Sequence, residues 1–89
     1  MILVTGGSGL VGKHLKEVLP DAVYISSRDF DLMDINRVDD MMDFFKPKVV
    51  VHLAARVGNL IDNMTYPVEY LEQNVIMASN VLRKCHEYN

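Results

Sequence analysis

Four of the chain's five glycines fall in one stretch, Thr5-Gly6-Gly7-Ser8-Gly9-Leu10-Val11-Gly12. It follows an apolar run, Ile2-Leu3-Val4-Thr5, and opens a segment of helical periodicity. Glycines in that context, between a strand and a helix, can bring backbone N–H groups against an anion at a helix N-terminus, the arrangement that holds a dinucleotide pyrophosphate. Gly6 suits the tight turn out of the strand. Gly9 lets backbone approach the pyrophosphate, and Gly12 allows the helix to pack close against the sheet. Gly7, Ser8, Leu10 and Val11 complete the loop and count with it as cofactor contacts. The plain alternative is a tight strand-to-helix turn without a ligand, which needs fewer glycines.

A dinucleotide site chooses its cofactor at the end of the second strand, about 20 residues after the glycines. A carboxylate there binds a ribose 2′-hydroxyl, whereas an arginine accommodates a 2′-phosphate. The chain offers Ser26-Ser27-Arg28, with no carboxylate until Asp29. Arg28 is a planar multiple donor and Ser27 adds a hydroxyl, so the expected cofactor is NADP(H). The alternative is a solvated turn arginine.

These residues must be positioned by alternating strands and helices, the pattern of an α/β parallel sheet. Ile2–Thr5 is a strand buried on both faces. Leu10, Val11, Leu15, Val18 and Leu19 recur at helical spacing up to Pro20. Residues 22–26 read as a second strand, rich in β-branched and aromatic types. Asp34 is a good N-cap for a helix with Ile35, Val38, Met41, Met42 and Phe45 on its apolar face, stopped at Lys46-Pro47-Lys48. Val49–Leu53 is the third strand, and Leu53, Ala54 and Ala55 at its carboxyl end leave room for a ligand at the crevice. Ala54 to Thr65 lacks periodicity, a length more common in functional loops than in plain connections. Pro67 fits the first turn of a final helix with a stripe of Leu71, Val75, Ala78, Leu82 and Cys85. His52 reads as a satisfied core histidine, and Cys85 as core, packing as a small hydrophobe.

Composition narrows the function classes. The 89 residues make one small domain at most. Hydrophobic residues at 49% and charged residues at 24% argue against a disordered chain. Nine basic against twelve acidic residues, net −3, offer no footprint for nucleic acid. No apolar run approaches the ~20 residues of a membrane helix, and no secretory leader precedes the first strand. The one cysteine cannot build a disulfide framework, so a reducing, cytoplasmic setting is expected.

The Gly-x-x-Gly-x-x-Gly spacing in Val4-Thr5-Gly6-Gly7 with Gly9 and Gly12 resembles the short-chain dehydrogenase/reductase superfamily, in its extended branch. With Ser27-Arg28-Asp29, Asp31-Leu32, Leu53-Ala54-Ala55, Arg56-Val57-Gly58, Asn63-Met64-Thr65-Tyr66-Pro67 and Asn74, the whole chain is similar to the GDP-L-fucose synthase family. That resemblance implies an NADPH-dependent epimerase/reductase acting on a nucleotide sugar, GDP-4-keto-6-deoxymannose. It implies that Asp31 and Leu32 contact the adenine and that Asn74 belongs to the cofactor site. Asn59 departs from the family, which usually has a second glycine there; this bears on the substrate-side loop. Three strands joined by two helices would by default order 3-2-1. In the family the segment at Arg28–Met33 replaces a helix and strand, which implies a partial Rossmann fold: a three-stranded parallel sheet of order 2-1-3 with flanking helices, forming the N-terminal part of an NADP-binding domain over residues 1–89.

The family's catalytic Ser and Tyr-x-x-x-Lys are not in the chain: Tyr24, Tyr66, Tyr70 and Tyr88 all lack a lysine four positions on. Two readings follow. In one, the chain is the cofactor-binding segment of a longer nucleotide-sugar enzyme, with a related reductase such as a dTDP-4-dehydrorhamnose reductase, or an epimerase, as the alternative parent. In the other, it is a complete, non-catalytic dinucleotide-binding or interaction module. In the second reading the open sheet edge must be covered by another copy or a partner, and for the 89 residues alone association is expected, since nothing pairs the far side of the apolar Val49–Leu53 strand.

Overall fold

A computed structural model describes residues 1–56 and 64–88. In chain order these form β1 (Ile2–Thr5), α1 (Leu10–Val18), β2 (Val23–Tyr24), α2 (Ile35–Phe45), β3 (Val49–His52) and α3 (Pro67–Tyr88). The strands make one parallel sheet of order β2-β1-β3, with Leu3 opposite Val23 and Val50, and Thr5 opposite His52. The expected 2-1-3 order holds, and Arg28–Met33 carries turns but no helix or strand.

β1 is central because its apolar run can be covered on both faces. Leu3, Val4 and Thr5 are fully buried. Leu3 faces the main core with Ile25, Leu32, Val38, Met41, Met42, Met77 and Val81, which sits under α2 and α3. Val4 points to the opposite face, as strand periodicity requires. On that face Tyr24 ties β2 to the end of α1: its hydroxyl donates to the Leu19 carbonyl at 2.6 Å, and Lys16 stands 5.7 Å from its ring centroid. β2 is shorter than the expected 22–26. Beyond Tyr24 only Ile25 keeps ladder-like pairing, its N–H donating to the Val4 carbonyl at 3.0 Å and its carbonyl accepting from Gly7 at 2.8 Å.

α2 begins as its sequence predicts, with the Asp34 carboxylate accepting from the Asn36 N–H at 2.9 Å. It ends at Lys46 in the left-handed region, φ 47°, whose N–H closes on the Met42 carbonyl at 2.8 Å. Two side-chain contacts tie the end of α3 to α2. Tyr88 donates to the Asp39 carboxylate at 2.9 Å and Lys84 approaches it at 3.3 Å, and these hydrogen bonds hold Asp39 below the usual carboxylate range.

The helix stripes differ from expectation. On α3 the buried residues are Met77 and Val81, while Leu71, Val75 and Leu82 are exposed. The helix carries two apolar faces. The one bearing Met77, Val81 and Cys85 meets the core, and the longer aliphatic stripe looks outward. Cys85 packs on the core as expected, and burial raises its thiol pKa. On α1 only Gly12 is buried, with Leu10, Val11 and Val18 exposed.

Candidate functional site

The carboxyl ends of all three strands open on one cleft of about 500 Å³, between the glycine loop and the segment after β3. This is where an open α/β sheet places its ligand, at the point where the strand order reverses. Thr5, Gly6, Ser8 and Gly9 form its floor. Ile25, Ser26, Ser27 and the Phe30–Leu32 segment line one wall, Leu53–Arg56 the other, and Tyr70 and Met77 reach in from α3.

The glycines are placed by sterics that can be read atom by atom. Gly6 has φ +69°, and a Cβ there would stand 2.6 Å from the Ala54 backbone N. A Cβ at Gly12 would meet the carbonyl oxygens of Gly6 and Gly7 at 2.7 Å. The close approach at Gly12 is thus to the loop itself, where packing against the sheet was expected. Gly9 differs: a Cβ there would meet only the Gly6 carbonyl, at 3.4 Å. Gly9 is also the N-cap of α1, with no side chain to satisfy the helix's first N–H groups. A helix N-terminus with no capping side chain, at an exposed glycine, fits a pyrophosphate.

Thr5 is fully buried and joins β1 to β3. Its hydroxyl accepts from the Ala54 N–H at 3.3 Å and lies 2.7 Å from His52 Nδ1. The hydroxyl can give its proton to a bare Nδ1 or accept one from Nδ1–H, so the bond fits either neutral tautomer. Burial lowers the His52 pKa, which favours the neutral ring. His52 therefore serves the sheet and the Ala54 turn, as a core histidine would.

At the end of β2 the turn is held from within. The Asp29 carboxylate accepts from the Ser26 N–H at 2.8 Å and from the Ser26 hydroxyl at 3.3 Å, and the Arg28 N–H donates to that hydroxyl at 3.3 Å. Arg37 of α2 braces the turn from outside, donating to the Asp29 carbonyl at 3.1 Å and lying 4.8 Å from the Phe30 ring centroid. The Arg28 side chain is exposed and makes no ion pair among the described residues.

Of the candidate residues, Gly6, Ser8, Gly9, Ser27, Asp31, Leu32, Leu53, Ala54 and Ala55 line the cleft together. Gly7, Leu10, Val11, Gly12 and Arg28 do not line it: Leu10, Val11 and Arg28 are exposed, and Gly12 is buried against the Gly6 and Gly7 carbonyls. Asn74 does not line the cleft; it clamps a wall, its carbonyl oxygen accepting from the Arg56 N–H at 2.6 Å and its amide donating to the Arg56 carbonyl at 3.1 Å. The expected loop residues Val57, Gly58, Asn59 and Asn63 lie outside the described residues. The sequence reading missed Thr5, Ile25, Phe30, Arg56, Tyr70 and Met77 as cleft residues. Helical spacing could have found two of them, since Tyr70, Asn74, Met77 and Val81 share one face of α3. Among the described residues no group of His, Cys, Asp or Glu could hold a metal ion.

Comparison with known proteins agrees with this geometry. A family profile described as the NAD dependent epimerase/dehydratase family matches residues 2–89. GDP-L-fucose synthase of Dictyostelium discoideum is 41% identical over 95 aligned residues, covering 99% of this chain and 30% of that protein. The probable GDP-L-fucose synthase of Drosophila melanogaster is 38% identical, over 97% of this chain and 29% of its own length. Among solved structures, a GDP-L-fucose synthetase from Naegleria fowleri bound to NADP superposes with a TM-score of 0.79 at 36% identity, over 98% of this chain and 30% of that one. The chain thus spans about 30% of the length of these relatives.

Proposed function

The chain belongs to the NAD dependent epimerase/dehydratase family, and on that premise we propose that it is the NADP(H)-binding N-terminal segment of a GDP-L-fucose synthase-like epimerase/reductase. The observation that carries this reading is the turn at the end of β2. Its nearest carboxylate, Asp29, is turned onto Ser26, while the exposed Arg28 side chain, next to the cleft-lining Ser27, makes no ion pair among the described residues. A ribose 2′-hydroxyl would find the nearest carboxylate already turned onto Ser26, and a 2′-phosphate would find a planar cation with serine hydroxyls beside it. The pyrophosphate would lie over Gly9 at the start of α1, and the adenine against Asp31 and Leu32. Arg56 and Tyr70 flank the other end of the cleft, where the nicotinamide and the sugar would meet. The bound cofactor supplies hydride; these residues bind and orient it.

Reduction of the sugar ketone also needs a proton donor, and none of Tyr24, Tyr66 and Tyr70 is followed by a lysine at the fourth position. Catalysis on GDP-4-keto-6-deoxymannose is therefore assigned to residues outside this segment, in a cytoplasmic enzyme. No helix among the described residues is long and apolar enough to cross a membrane. The outer edge of β3 has no partner strand among the described residues, and Val49 on it is half exposed. A second copy or further chain would cover it. The test is direct: the 89-residue chain should bind NADP+ and yet leave NADPH absorbance unchanged with GDP-4-keto-6-deoxymannose. Turnover by the chain alone would overturn the division of labour, and a monomer in sedimentation would overturn self-association.

A further inference from the structure

We propose that Asn80 is a positioning residue for the adenosine end of the cleft, acting from α3 through the backbone of Leu32 and Met33. Its side-chain amide donates to the Leu32 carbonyl at 2.9 Å and to the Met33 carbonyl at 3.3 Å. Those carbonyls sit in the turn segment between β2 and α2, which has no strand or helix to fix it. Leu32 is the side chain this hold controls. It is 4% exposed, packs in the core beside Val38, Met41, Met77 and Val81, and also lines the cleft. In an open α/β sheet the segment following β2 meets the adenosine half of a dinucleotide. Local bonds shape this segment further, with Asp31 Oδ1 accepting from the Met33 N–H at 3.0 Å, but only Asn80 ties its Leu32 and Met33 carbonyls to α3 among the bonds described.

The same helix holds the other wall through Asn74 on the Arg56 backbone. Six residues separate the two asparagines, about 9 Å along the helix axis. α3 therefore spans the cleft and sets the distance between its walls, Asn80 on the adenosine side and Asn74 on the side after β3. Loss of the Asn80 amide frees Leu32 without touching the glycine loop or Arg56.

This inference rests on the reading of the cleft as a cofactor site, and the experiment separates the two. The chain and its Asn80→Ala variant are titrated with adenosine 2′,5′-bisphosphate by calorimetry and with nicotinamide mononucleotide by NMR. The variant should lose about tenfold in affinity for the bisphosphate and stay within about twofold for the mononucleotide. Asn80→Gln, which keeps the amide donor, should recover part of the loss. If Asn80→Ala has no cooperative melt, Asn80→Ser, which retains one donor, takes its place with the same selective loss expected. Equal losses for both ligands, or no loss for either, would overturn the role of Asn80 alone. Failure of the unaltered chain to bind the bisphosphate would overturn the cofactor reading and this inference with it.

Discussion

The Asp29 carboxylate accepts a 2.8 Å hydrogen bond from the Ser26 backbone N–H, three residues before it. Both of the bonds from Ser26 fall on Oδ2, so the turn itself sets the direction of this carboxylate. The same bond shapes the turn that carries the cleft-lining Ser27 and the exposed Arg28 next to it. An acidic residue close to the cofactor-selecting position thus reads, in sequence, like an NAD signal and acts, in structure, as a support for an arginine.

Arg28→Glu should therefore weaken NADP+ binding by about 10- to 100-fold, the worth of a charge-assisted hydrogen bond to phosphate. NAD+, which lacks the 2′-phosphate, should lose little. The ratio of the two dissociation constants is the readout; an unchanged ratio would remove Arg28 from the site.

The glycines separate folding from binding. Gly6→Ala places a Cβ against Ala54 at a positive φ and should cost about 1–3 kcal/mol or more of stability. Gly9→Ala finds room in the unliganded chain, so its melting temperature should change little while cofactor affinity falls. Chemical denaturation of both variants beside NADP+ titrations tests the contrast. A Gly9→Ala chain that binds normally would argue against the pyrophosphate lying there.

His52 gives a pH dependence of defined sign. Its pKa is lowered in the fold by burial, from an ordinary value of 6.5. The unfolded chain takes up the proton first, so the stability tied to neutral His52 is complete above pH 6.5 and is lost as pH falls through that value toward the folded pKa. Melts between about pH 8 and pH 5 should show a falling midpoint, flattened in His52→Gln. Equal slopes for both chains would mean that burial of His52 does not couple its titration to folding.

The two faces of α3 should respond differently to truncation. Met77→Ala removes a buried side chain and should cost about 2–5 kcal/mol, whereas Leu71→Ala, at an exposed position, should stay within about 0.5 kcal/mol. Denaturant midpoints decide it. A large cost at Leu71 would show that its stripe is already packed in the chain as it stands.

That stripe also shows where reading the residues reached its end. The glycine loop, the Asp34 cap and the β1 and β3 runs are local signals, each with its cause in a few neighbouring residues, and they fold as read except that Gly12 packs on the loop's own carbonyls and β3 stops one residue short, at His52. The order of the strands is not local: periodicity alone permits 3-2-1, and only resemblance to a family placed β3 beside β1. α3 carries aliphatic residues on two faces, and hydrophobic spacing cannot say which one a core will claim. The clamps of Asn74 on Arg56 and Asn80 on Leu32 were equally hidden, since each joins positions 18 and 48 residues apart.

The central claim is a cofactor site selective for a 2′-phosphate, and parallel calorimetric titrations of the chain with NADP+ and NAD+ test it most directly. The structure leads us to expect NADP+ to bind at least about tenfold more tightly, a preference that Arg28→Glu erases. Equal affinities, or tighter binding of NAD+, would contradict the account.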